Sequence, residues 1–373
     1  MTLMLQPEDY MPKLHKDVDA SRYGIGLIGC GSIANSAHLP AYRKAGLRVS
    51  ACCDISEAAA RNTAEKFGIP FWTTSVQELL EREDVSVIDM AIHPSAREEV
   101  LKQIAKIPRP VLCQKPLDMT LDGAKHLASI AAEAGFMLAV NQQARWAPVH
   151  KAVKTLLDRG VIGDILNIQH VYRSNQDREG HWFSKLPNAL IGDHGIHYFD
   201  LCRYFNASPS GSGNDWSRIH CTTAMMKKQF AIDPLIYSAN IEFGPAGGRA
   251  HTMAHLFFND IVRSPRAFGY AWWVDGSEGS IWSTDKSVCM ALRNDPSTVH
   301  ETVVSGSWFP DGFLGSMLDL IEAVEFGRPP LVTPEDNFST LAMTTAAIRS
   351  SREGRVVERT ELFPGTDEHG VRI

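Results

Sequence analysis

At 373 residues the chain exceeds one typical small domain and predicts two domains of unequal size. Its composition is that of an ordinary soluble globule, 44% hydrophobic and 21% charged, and a net charge of −6 argues against nucleic acid or an anionic membrane as the main partner, because both want a basic patch. No apolar run approaches the roughly 20 residues needed to cross a bilayer.

Residues 1–22 carry acids and prolines where a signal peptide would have its apolar stretch, so a cytoplasmic location is expected, with this segment an arm laid over the body. The seven cysteines, odd in number and without metal-ligand spacing, are expected to be reduced and buried. From Tyr23 strand-like and helical stretches alternate. GIGLIG (24–29) leads to a helix over 33–45, LRVSACCD (47–54) to a helix over 56–68, and VSVIDMAI (85–92) and VLC (111–113) each to a further helix before FMLAVN (136–141). This alternation predicts βαβ units and an α/β Rossmann domain over 23–146, a doubly wound parallel sheet covered on both faces.

Past residue 147 the rhythm changes. A helix over 150–160 ends at Gly160, and β-rich stretches then follow at 164–174, 217–226, 234–243 and 249–258, with a hairpin over 269–283. Strands joined by polar turns predict a mainly antiparallel sheet, which with helices at 313–326 and 335–352 makes an α+β domain over 147–373. Trp272 and Trp273 sit either on an exposed sheet face that pairs between subunits or in the core under the helices.

Gly29-Cys30-Gly31-Ser32-Ile33-Ala34 fits G-x-G-x-x-G/A between a predicted strand and a predicted helix. Gly29 permits the tight turn, Gly31 lets the backbone approach a pyrophosphate, and Ala34 is small enough for the helix to pack on the sheet. Asp54, 23 residues beyond Gly31, ends the second strand. A carboxylate there accepts both adenosine ribose hydroxyls and repels a 2′-phosphate, and Ser56 rather than an arginine follows, so NAD is expected in preference to NADP.

Two further stretches carry chemistry. In VLCQKPLDMT (111–120) a strand runs into Lys115 and then Pro116, so the ammonium either snorkels from a loop or serves a ligand above the strand end. In NALIGDHGIHYFDLCRYF (188–205), Asp193 and His197 stand four apart on a predicted helix, with Asp200 three further on. A carboxylate beside an imidazole suits general acid–base work. A capped, solvated helix start is one alternative. A metal site from Asp193, His194, His197 and Asp200 is another, against which neighbouring residues 193 and 194 project about 100° apart.

The glycine fingerprint, the x-Lys-Pro after the fifth strand and D-x-G-x-H-x-x-D together resemble the Gfo/Idh/MocA oxidoreductase family. The likeness extends through VNQQARW (140–146), DGSEGSI (275–281) and the stretch 333–357. It implies a Rossmann domain followed by an α+β domain whose open sheet makes a homodimer or homotetramer interface. It also implies that Lys115, Asp193 and His197 are catalytic, that Pro94 borders the cofactor, and that Gln143 and Arg145 line the nicotinamide end. Gln114 replaces the family's usual glutamate before Lys-Pro, which leaves Lys115 less firmly charged or shifts how the nicotinamide ribose is held. His93 replaces a commoner threonine. Together with Gly29, Gly31, Ser32, Ile33, Ala34 and Asp54 of the fingerprint, the residues His93, Pro94, Gln114, Lys115, Gln143 and Arg145 form the expected cofactor set.

On this reading Lys115 hydrogen-bonds a substrate hydroxyl and stabilises alkoxide character, while His197, oriented by Asp193, removes its proton. The polar loop 172–190 offers Arg173, Asn175, His181 and Trp182 to the hydroxyls and C–H faces of a neutral sugar or polyol, or is simply a solvated loop. Aldose oxidation to a lactone, with apiose among the candidates, is the first expectation, and inositol or anhydrosugar oxidation the second. Two other classes stay open: NAD-dependent glycoside hydrolysis, and a non-catalytic NAD-binding regulator.

Overall fold

Five buried residues, Gly24–Ile28 (β1), form the central strand of a six-stranded sheet. The computed structural model describes residues 4–207, 215–244 and 251–363. The other strands of this sheet are β2 (Arg48–Cys53), β3 (Trp72–Thr73), β4 (Val87–Met90), β5 (Val111–Gln114) and β6 (Leu138–Asn141). Their order is β3-β2-β1-β4-β5-β6, and every pairing is parallel. The strand order therefore reverses between β1 and β4, and in such sheets ligands bind beyond the carboxyl ends of the strands at that point.

Local chemistry sets the helix ends. Glu57–Phe67 starts where the Ser56 side chain accepts the Ala59 N–H and stops at Gly68 in the left-handed conformation. Leu121–Ala134 lies in the same way between Thr120 and Gly135.

Two units divide the chain, and not by a single cut after residue 146. One comprises Met11–Pro148 with Gly306–Phe338, the other residues 4–10, Val149–Ser305 and 339–363. The physical reason lies in the helix Phe313–Phe326. Its Phe313, Met317, Leu320 and Ile321 are buried in the same core as Ile25, Leu27, Val87 and Leu112 of the parallel sheet. Phe313→Ala is expected to destabilise this unit by about 3–5 kcal/mol, the range for emptying a buried aromatic site. Urea unfolding followed by far-ultraviolet circular dichroism checks it; a loss below about 1 kcal/mol would mean that the helix is dispensable to the core.

In the second unit nine strands form one sheet. They are β7 (Ile165–Arg173), β8 (Trp216–Ala224), β9 (Ile236–Phe243), β10 (Thr252–Asn259), β11 (Gly269–Gly276), β12 (Gly279–Ser283), β13 (Ser287–Leu292), β14 (Asp295–Val303) and β15 (Val357–Glu358). The order is β14-β13-β12-β11-β7-β10-β9-β8-β15, antiparallel except that β7 and β10 run parallel. Trp272 and Trp273 divide as a strand's period of two requires: Trp272 is fully buried and Trp273 exposed. The strands β13, β14 and β15 lie outside the β-rich stretches expected from sequence.

The N-terminal segment is shared between the units. Asp9 pairs with Arg159 at 2.5 Å and the Tyr10 hydroxyl accepts the Ser305 N–H, while residues 11–22 group with the parallel sheet. All seven cysteines carry free thiols, six buried and Cys289 half-buried. Among the described residues no helix is long and apolar enough to cross a membrane.

Candidate active site

The chain turns sharply where β1 ends. Gly29 has φ +99°, and a Cβ there would meet the Ala91 carbonyl oxygen at 2.6 Å, so glycine is required on both counts. Gly31 is the opposite case: a Cβ on it would meet nothing within 4 Å. That open space over an exposed backbone is the cradle a pyrophosphate needs. A helix starts at Ser32 and continues through Ile33 into a π-helical segment, Ala34–His38, with Ala34 fully buried against the sheet.

Asp54 stands at the end of β2. One carboxylate oxygen accepts the Cys30 N–H and the other the Ser56 N–H, each at 2.8 Å, so the side chain lies against the glycine turn with lone pairs to spare. These residues fit the adenosine and pyrophosphate half of a dinucleotide. Beneath the turn a hydrogen bond with the Cys52 thiol lowers the Cys30 thiol from its ordinary value, and the same bond, with burial, raises Cys52.

After β4, His93 caps a short turn, Pro94–Ala96, its Nδ1 lying 3.0 Å from the Ser95 hydroxyl. Gln114, at the end of β5, accepts the Lys115 N–H through Oε1 at 3.2 Å and sits in register with Asn141 of β6. Lys115 follows, half-buried. Gln143 and Arg145 are buried in the turn Gln143–Trp146, and Arg145 makes an ion pair with Asp336 at 2.7 Å. The structure therefore gathers Gly29, Gly31 and Asp54 around one turn, and ties Arg145 to the Asp336 carboxylate, 191 residues away.

In the second unit Asp193 lies in a π-helical segment, Ala189–His194, and His197 in the following helix, Ile196–Asn206. A regular helix across both residues was expected. The junction falls at Gly195, where a Cβ would stand 3.0 Å from the Tyr237 hydroxyl. Asp193 is half-buried and His197 buried. Asp200 is fully buried and accepts the Thr340 hydroxyl at 2.8 Å. Among the described residues no three His, Cys, Asp or Glu side chains gather as a metal ion would require.

His194, considered from sequence only as a metal ligand, has Nδ1 3.3 Å from Asp260 Oδ2. Asp260 is fully buried and also accepts the Ser174 hydroxyl at 2.6 Å. Burial first, then the Asp260 charge, raises the neighbouring Tyr172 phenol above its ordinary value. No motif could have found this group, because 66 residues separate His194 from Asp260 and 86 separate Ser174 from Asp260, the latter two brought together at the ends of the parallel pair β7 and β10. Arg173 donates to the Ala267 carbonyl, and Asn175 accepts the Asp177 N–H. His181 and Trp182 have ring centroids 5.7 Å apart, with Trp182 60% exposed.

Family comparison agrees with the fold and the glycine turn. Residues 23–142 match the model for an oxidoreductase family with an NAD-binding Rossmann fold, and residues 150–282 the GFO/IDH/MocA C-terminal domain. The chain belongs to the Gfo/Idh/MocA family. It is accordingly an oxidoreductase with an NAD-binding Rossmann domain. The chain is 25% identical over 352 residues to a D-apiose dehydrogenase of Paraburkholderia graminis, covering 91% of each protein. It is 27% identical to a 1,5-anhydro-D-fructose reductase of Ensifer adhaerens, covering 89% of this chain and 97% of that one. An oxidoreductase from Agrobacterium radiobacter, solved with NAD+, L-tartaric acid and magnesium, has the same fold, with a TM-score of 0.78 at 19% identity over 91% of this chain and 99% of the other.

Proposed function

We propose that this Gfo/Idh/MocA protein is an NAD-dependent sugar dehydrogenase that oxidises a hydroxyl of a neutral sugar, the anomeric position of an aldose such as apiose first among them. The observation that carries the reading is the placement of Lys115 directly beyond the carboxyl end of β5, in the same unit as the Gly29–Gly31 turn and Asp54. The relative named for D-apiose supports the substrate class.

When bound, the nicotinamide would supply the acceptor for hydride from the sugar carbon. Asp54 would hold the adenosine ribose and favour NAD over NADP, and Gly31 with the helix start at Ser32–Ala34 would receive the pyrophosphate. His93, Pro94, Gln114, Gln143 and Arg145 complete the proposed cofactor set. Lys115 would donate a hydrogen bond to the substrate oxygen as charge develops on it, and His197, with Asp193, would take the hydroxyl proton. Arg173, Asn175, His181 and Trp182 are proposed to hold the other hydroxyls and a C–H face. Trp273 and Met253, exposed on the nine-stranded sheet, support assembly as a homodimer or homotetramer.

A second reading, oxidation of an anhydrosugar or inositol, is favoured by the relative named as a 1,5-anhydro-D-fructose reductase. Purified protein with NAD or NADP against aldoses, anhydrosugars and cyclitols, followed by reduced-nicotinamide absorbance, separates the two. Turnover of D-apiose with NAD and trapping of a lactone is the expected result. Turnover confined to cyclitols or anhydrosugars selects the second reading. Silence across the panel while NAD still binds overturns both, in favour of the hydrolase or the regulator.

A further inference from the structure

Arg97 opens the helix Arg97–Ile104, the end at which the helix dipole disfavours a cation, and no side chain caps that end. It is nevertheless 1% exposed. Its Nε and one terminal nitrogen donate to the Ile92 carbonyl at 3.2 and 2.9 Å, and the other terminal nitrogen donates to the carbonyls of Leu117, at 2.8 Å, and Pro116. All its acceptors are main-chain carbonyls. The carboxylate whose charge it feels, Asp118, is engaged with the Thr120 N–H and hydroxyl at 2.9 and 3.0 Å.

Burying a guanidinium costs several kcal/mol even after relaxation, and here hydrogen bonds to three main-chain carbonyls, rather than a counter-ion, offset that cost. What only the planar fork provides is simultaneous reach to two segments of chain. One, ending at Ile92, runs directly into His93 and Pro94 after β4. The other, Pro116-Leu117, follows Lys115 after β5. These loops leave neighbouring strands, and the first of them lies beside the reversal in strand order.

We propose that Arg97 is a positioning residue, locking the loop that carries Lys115 to the loop that carries His93 and Pro94, and that turnover depends on this lock. The proposal rests on the reading of Lys115 as the group that meets the substrate oxygen. Misplacing such a group by about 1 Å costs roughly 10²-fold in rate, so Arg97→Ala lowers kcat by that order with the KM for NAD changed only a few-fold.

The test compares Arg97→Ala, Arg97→Lys, Lys115→Ala and the double variant Arg97→Ala/Lys115→Ala, assayed with NAD and D-apiose or whichever panel sugar the parent protein oxidises. The double variant is expected to be no slower than Lys115→Ala alone, since a lysine that is absent cannot be misplaced. Free guanidinium ion at millimolar concentration is expected to restore part of the kcat of Arg97→Ala. Without cofactor or sugar, hydrogen exchange should quicken together at 92–96 and 114–118 in Arg97→Lys, which keeps the charge and covers the case in which the alanine variant does not fold. Parent-like kcat in either Arg97 variant, or an undiminished Arg97 effect in the Lys115→Ala background, overturns the proposal. If Lys115→Ala itself keeps full turnover, the reading of Lys115 fails and the proposal with it, a result distinct from a failure confined to the Arg97 variants.

Discussion

Replacing Lys115 with alanine is expected to lower kcat by roughly 10²–10³-fold, the cost of removing one preorganised donor from a developing oxyanion. The lysine is half-buried at the end of a fully buried strand, and its own N–H is held by the Gln114 side chain, so main chain and neighbour fix where the ammonium starts. Binding of NAD, titrated by quenching of tryptophan fluorescence, should change by no more than a few-fold, because Gly29, Gly31 and Asp54 lie on other strand ends. Loss of kcat with retained binding is the signature of an interaction made in the transition state. Lys115→Arg should recover little, since a guanidinium fork does not reproduce the position of a compact ammonium. Full turnover in Lys115→Ala would reduce this lysine to a snorkelling surface residue.

The second large effect is expected at Asp54. Its two oxygens each accept a backbone N–H, from Cys30 and Ser56, and so brace the glycine turn before any ribose arrives. A hydrogen bond to a charged group contributes about 1.5–3 kcal/mol, so Asp54→Ala should weaken NAD binding by roughly 10- to 100-fold. Removing the charge also removes its repulsion of a 2′-phosphate, so NADP should lose much less affinity than NAD. Calorimetric titration of parent and variant with both dinucleotides reads the two effects separately. An unchanged ratio of NAD to NADP affinity would mean that Asp54 braces the turn and takes no part in choosing the cofactor.

The parallel sheet was legible in sequence because its strands are buried on both faces and read as unbroken apolar runs such as Val87–Met90 and Val111–Gln114. β14 was not, because nearly every residue from Asp295 to Val303 is exposed and no alternation survives at that sheet edge. The helix Phe313–Phe326 has the limits its periodicity predicts, and it packs in the core of the parallel sheet rather than in the second unit. Periodicity reports that a face is buried, not what buries it. Among site residues, the glycine turn and Asp54 follow from local backbone demands. Arg97 left a faint trace, a cation at a helix start, whereas Asp260 left none, because its role depends on contacts across the sheet.

The assignment of Phe313–Phe326 to the first unit bears on how the protein is made. Residues up to Pro148 include all six parallel strands, yet the apolar surface over Ile25, Leu27 and Leu112 lacks its cover until a segment ending at Phe338 arrives. A ribosome must therefore deliver about nine-tenths of the chain before the nucleotide-binding core can close, with the bulk of the second unit emerging in the interval. A truncated product stopping at the apparent domain boundary is left with an exposed greasy floor rather than a small working Rossmann domain.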